Sequence, residues 1–230
     1  MNKEKGLIAI IVIIVSVVLT IFIAMWLLDT TGKVNQGNYR ISDIIIQSGA
    51  TVTEVQDNSV KIEKLSGLFF DVSQTNEVTI FVEANTKIAS MMLDNIKISD
   101  PVLKGKMSLA QKDYEKYDIT QDLKSLPLYL EEKDGQYKIC LVIDNDKVIT
   151  DKNVSDDKDS IPYSGEIFKL WNIPVSDLTF DVSFELIITD ESGTKVKTEI
   201  KLKMPAEEML ESGMSILKQD ASKYLFTIQK

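Results

Sequence analysis

The feature that most constrains this chain is the run at positions 7–28, which is 22 residues long, carries no charged side chain and is interrupted only by Ser16 and Thr20. As a helix rising about 1.5 Å per residue it reaches roughly 33 Å, against a bilayer hydrocarbon core of about 30 Å. Lipid offers the peptide groups no competing hydrogen-bond partner, so the β-branched residues between Ile8 and Val15 do not oppose a helix there. The sequence therefore predicts a transmembrane helix at 7–28, with a short head at 1–6 and a tether at 29–38 that is rich in turn formers. Lys3 and Lys5 precede the apolar run and Asp29 follows it, which favours a cytoplasmic N-terminus and an extracytoplasmic body at 39–230. Trp26 stands where an interfacial aromatic anchor is expected.

A cleaved signal peptide has a shorter apolar part, about 7 to 15 residues, and an A-x-A-like site. The segment from Leu27 to Gly32 has no small-x-small pattern, and no cysteine near position 28 provides for a lipid-modified terminus. Lys5-Gly6 faintly resembles the processing site of type IV pilin precursors, but Ile11 stands where those pilins carry a glutamate. The resemblance implies, as an alternative, a pilin-like filament subunit.

The formal net charge is −9, and Arg40 is the single arginine. An acidic exterior repels phosphate backbones, so nucleic acid is not an expected partner. Histidine is absent. That removes Ser-His-Asp and Cys-His nucleophilic arrangements, histidine metal ligands and the usual neutral-pH proton shuttle. There is no G-x-S-x-G, and the scattered acids define no pair, so the chain does not read as an enzyme. Cys140, the only cysteine, precludes an intramolecular disulfide and reads as a small buried hydrophobe in the strand-like stretch from Tyr137 to Ile143.

From Tyr39 onward the pattern is β. Thr51 to Gln56 and Ser59 to Glu63 flank Asp57-Asn58 as a hairpin would. Leu68 to Val72, Glu77 to Glu83 and Lys87 to Ser99 read as further strands, the second alternating Val78, Ile80 and Val82 with polar residues. Between Met107 and Leu126 the S-x-x-Q form of Ser108 to Gln111 resembles a capping box and predicts one or two helical turns. Leu128 to Glu131 and Gln136 to Ile143 surround Lys133-Asp134-Gly135, and Leu178 to Thr189 and Thr194 to Met204 surround Asp190 to Gly193, giving two more hairpins. Pro205 opens a helical stretch with Met209 or Leu210, Met214 and Leu217 at helical spacing, and Tyr224 to Ile228 can form a last strand. About ten strands joined by short connections predict a mainly β fold, an antiparallel Ig-like β-sandwich with short helices. Two smaller modules, 39–105 and 120–230, are the alternative division. In pattern alone the architecture resembles Ig-like ectodomains of Gram-positive and archaeal surfaces.

Two segments supply candidate sites. The polar run from Asp144 to Ser160 reads as a solvated acidic loop. From Asp151 its D-x-N-x-S spacing resembles the opening of an EF-hand-type loop, with Asp151, Asn153, Asp157 and Asp159 as calcium ligands to test. The pattern departs from that loop at Asp156, where the turn glycine belongs, and at Pro162, where the bidentate glutamate belongs. No other cofactor is implied. The stretch from Ile161 to Pro174 holds Trp171, the one tryptophan outside the apolar run. Tyr163, Phe168 and Trp171 there are the candidate partner-binding aromatics, unless they fill core. The methionines at 91–92 and 204–214 read as core. Taken together, the sequence predicts a single-pass, membrane-anchored, non-catalytic envelope protein that displays its β-sandwich to another envelope protein. The alternatives are the filament subunit and a surface module that binds sugar or calcium.

Overall fold

The computed structural model describes residues 38–55, 68–99, 106–119, 125–154 and 164–229. The apolar run, the Asp57-Asn58 turn and the strand expected at 59–63 lie outside the described residues. Among the described ones no helix is long and apolar enough to cross a membrane.

Alternation of apolar and polar residues dictates the body of the molecule. In β2 (Leu68–Ala84) the side chains of Phe70, Val72, Val78, Ile80 and Val82 are buried on one face, while Glu77, Thr79 and Phe81 lie on the other. A strand turns successive side chains to opposite faces, so this period of two requires one face on a core. The two strand stretches expected at 68–72 and 77–83 are one continuous strand. Along its full length β2 pairs antiparallel with β1 (Tyr39–Val55) and β8 (Gln136–Val154).

The fold is mainly β, with two antiparallel sheets and few short helices. The larger sheet runs β11 (Ser215–Gln219), β1, β2, β8, β4 (Lys106–Gln111), β5 (Tyr117–Asp118), with β7 (Glu131–Lys133) also paired to β8. The smaller runs β12 (Thr227–Ile228), β10 (Lys195–Lys203), β9 (Asp181–Asp190), β3 (Ile88–Ser99), β6 (Ser125–Leu128). Ile44, Ile80 and Ile139 from the first sheet and Leu93, Phe184 and Ile200 from the second belong to one apolar cluster, the core of a sandwich-like fold. Segments from 39–105 and 120–230 lie side by side in both sheets, as β2 beside β8 and β3 beside β9.

At about 3.3 Å per residue, the 17-residue β1 and β2 span roughly 56 Å and the 10-residue β9 roughly 33 Å. The overhang of the long strands carries a second apolar cluster around Phe70, Val72, Val148 and Ile149. It is covered by α1 (Glu166–Leu170), a 3-10 turn (Val175–Asp177) and α2 (Ala206–Ser212). Buried polar side chains pin that cover to the sheet. The Gln74 amide donates to the Leu178 carbonyl at 3.0 Å and the Asn145 amide to the Asp177 carbonyl at 3.3 Å.

Three local expectations are corrected. Residues 106–111 form a strand, not helical turns. Met107 and Leu109 are buried at strand period beside β8, and the Ser108 hydroxyl donates to Asp146, which leaves nothing of a helix cap. The stretch from Asp144 to Val154, expected as the start of an acidic loop, is strand, the continuation of β8. Its alternation is broken by a bulge at Lys147, whose φ is 55° and whose amide donates to the Ser73 hydroxyl. Met214 and Leu217 are not on the helix that Pro205 precedes. Gly213, at φ 78°, ends α2, and β11 follows. Cys140 is half-buried on the face of β8 away from the core, where its thiol lies 3.9 Å from the Thr79 hydroxyl.

Candidate functional site

The open flank of the sandwich, where β4 and β5 of one sheet approach β6 of the other, carries a cleft of about 300 Å³. Local chemistry builds it. β4 ends at Gln111 in a turn in which the Tyr114 amide donates to the Gln111 carbonyl at 3.0 Å, with Asp113 in the left-handed region at φ 68°. Aspartate tolerates that conformation better than most residues. On the other side, Leu126 and Leu128 of β6 are buried while Pro127 and Tyr129 face out.

The buried Gln111 side chain ties the two edges together. Its amide nitrogen donates to the Tyr129 carbonyl at 2.8 Å, and its amide oxygen accepts from the Tyr129 backbone N–H at 2.7 Å. This pairing holds the rings of Tyr114 and Tyr129 in a parallel stack, with centroids 4.0 Å apart and planes 7° apart. Tyr117 adds a third ring to the lining, and the three are 48%, 59% and 38% exposed for Tyr114, Tyr129 and Tyr117. Three large aromatic side chains thus lie at the surface, two of them stacked and held by the backbone and amide bonds around Gln111, a kind of surface that has little side-chain freedom to lose on binding.

Glu115 is the charged residue of the lining. The lysines that flank it in sequence turn away from the cleft. Lys112 pairs with Glu77 at 3.0 Å, and Lys116 pairs with the buried carboxylate of Asp144, which raises the Lys116 pKa. A larger hollow of about 610 Å³ is lined by Arg40, Asp43, Glu83, Lys218 and Asp220, of which Arg40 pairs with Glu83 and Lys218 with Asp43, while Asp220 accepts from Ser222. The tyrosine cleft presents exposed aromatic rings and a carboxylate together. Its groups suit stacking, hydrogen bonding through phenol hydroxyls and attraction of cations.

The residues expected to form sites are not gathered here. Asp151 and Asn153 lie in β8, whereas Asp157, Asp159 and Tyr163 lie outside the described residues. Among the described residues no group of three acids or cysteines converges as a metal site would require. Phe168 is fully buried in α1 as part of the second core cluster, so its proposed contact with a partner is corrected to core packing. Trp171, half-buried at the C-terminal end of α1, packs on the same cluster. The signal for the cleft was present in the sequence as Tyr114-x-x-Tyr117 followed by Pro127-x-Tyr129. It was obscured because 106–111 read as helical, which places those rings on unrelated elements.

Fold and cleft together define a two-sheet, mainly β protein with a surface cleft lined by three tyrosines. Compared with known proteins, the chain matches no family model, no curated protein and no solved structure.

Proposed function

We propose that this is a non-catalytic, single-pass envelope protein in which a transmembrane helix at 7–28 holds an Ig-like sandwich outside the membrane to dock another envelope protein at the tyrosine cleft. The observation that carries the reading is the stacked Tyr114–Tyr129 pair locked by Gln111, since aromatic side chains fixed at a surface are the usual anchors of protein interfaces. The apolar run supports the anchorage, and the positive head with an acidic body supports a cytoplasmic N-terminus and an extracytoplasmic body. The same acidity argues against nucleic acid as a partner. Tyr39, the first residue of β1, lies at the end of the sandwich opposite the helical cover, which supports attachment to the membrane from that end.

Photo-crosslinking in intact membranes tests this, with benzoylphenylalanine at position 117 in the full chain. A discrete protein adduct that is lost on Tyr129→Ala is expected. Absence of an adduct, or one indifferent to Tyr129, refutes docking at the cleft.

A further inference from the structure

We infer that the cleft takes an arginine side chain on an exposed segment of the partner protein, a conclusion that rests on the docking reading above. Several independent features favour a cation there. The outer faces of the stacked tyrosines are electron-rich and attract positive charge. Glu115 brings a carboxylate to the same hollow, and among the described residues no lysine or arginine lines it. Lys112 and Lys116, the cations nearest in sequence, are held by Glu77 and Asp144 and so do not neutralise Glu115. The chain as a whole is acidic, which adds long-range attraction for a basic segment.

Guanidinium suits the geometry better than ammonium. A planar guanidinium stacks on an aromatic face while its fork of N–H donors meets a carboxylate, whereas a lysine ammonium offers only a point charge. The mode of entry is also constrained. β6 is the edge of the smaller sheet, and Pro127 within it has no N–H to donate, so a partner strand cannot extend that sheet through this position. The partner therefore inserts a side chain between the sheet edges. A volume of about 300 Å³ is at the small end of ligand sites and matches one such side chain with its flanking backbone.

The test uses the full chain in detergent micelles with ring-labelled tyrosine, titrated with acetyl-Gly-Pro-Arg-Pro-Gly-amide and with the same peptide carrying neutral citrulline. The arginine peptide is expected to move the ring resonances of Tyr114, Tyr117 and Tyr129 but not those of Tyr39 or Tyr224. The citrulline peptide is expected to bind at least about fivefold more weakly. Glu115→Gln should weaken the arginine peptide by about threefold or more and leave the citrulline peptide unchanged. Equal binding of the two peptides, or no movement of the three rings with the arginine peptide, overturns the inference. If adducts still form at position 117 and depend on Tyr129, the docking reading survives that failure. If they do not, both are refuted.

Discussion

Asp190 shows how much structure a single carboxylate organises in this molecule. It sits where β9 leaves the sheet. One oxygen accepts from the Ser192 hydroxyl at 2.6 Å and from the backbone N–H groups of Ser192 and Thr194 at 2.9 Å. Its other oxygen accepts from the Tyr39 hydroxyl at 3.1 Å, and that hydroxyl in turn accepts from Thr86. The start of β1 is thereby fastened to two turns at the same end of the sandwich. The Ser192 hydroxyl first, and then the backbone donors and Tyr39, hold the Asp190 pKa below that of an ordinary aspartate. A carboxylate with a depressed folded-state pKa stabilises the fold above its unfolded pKa, and that contribution disappears as pH falls through the folded value. Asp190→Asn should therefore melt lower than the parent at pH 6, and the gap should close as pH falls below about 4. Thermal melts across that range check this; a gap independent of pH contradicts it. Phe168 makes the complementary point. Its side chain is wholly enclosed in the second cluster, so Phe168→Ala should cost about 3 to 5 kcal/mol of stability in denaturant titration. Retained stability with lost partner binding would restore it to an interface.

At the scale of elements, the two short helices depend on glycine for their contact. A Cβ on Gly165 would lie 2.9 Å from the carbonyl oxygens of both Met209 and Gly213, and the Gly165 amide donates to the Gly213 carbonyl at 2.7 Å. The backbones of α1 and α2 meet here with no room for a methyl group. Gly165→Ala should destabilise the protein by about 1 to 3 kcal/mol. A denaturation midpoint unchanged by that substitution would show that the helices separate without cost. Of the expected hairpins, the one joining β9 to β10 was legible, whereas the strand expected at 128–131 is divided, Leu128 pairing with Met91 in the smaller sheet and Glu131 opening the β7 that turns back onto β8. Asp134-Gly135 turns with φ values of 53° and 77°, the left-handed pair that a two-residue hairpin turn requires, and β9 and β10 alternate as their sequences imply. β4 and the end of β8 were not legible, for a physical reason. Both bury polar side chains, Ser108 and Gln111 in β4 and Asp144 and Asn145 in β8, each with a polar partner elsewhere in the fold, so neither shows the apolar period from which a strand is read. The bulge at Lys147 then moves the later residues of β8 out of phase.

At the scale of the whole molecule, early and late strands interleave in both sheets around one apolar cluster. β2 is hydrogen-bonded on one side to β1 and on the other to the distant β8, where Val78 meets Leu141, and β3 pairs with β9 across a longer gap, where Leu93 meets Leu186. Segments 39–105 and 120–230, expressed separately, should each fail to give a cooperative thermal transition, while 39–230 should give one. A cooperative melt of either segment alone would contradict the shared core. This interleaving also explains why the mainly β class could be read from the sequence and the cleft could not. Strand periodicity is local, whereas Tyr114 and Tyr129 meet only because two sheets bring their edges together.

The proposed placement of the sandwich outside the membrane underlies every role proposed for the cleft, and protease treatment of intact cells tests it most directly. If residues 7–28 hold the body outside, added protease should cut at the tether, 29–38, and release a folded fragment that reaches toward the C-terminus. A chain that stays uncut until the membrane is permeabilised would contradict the account.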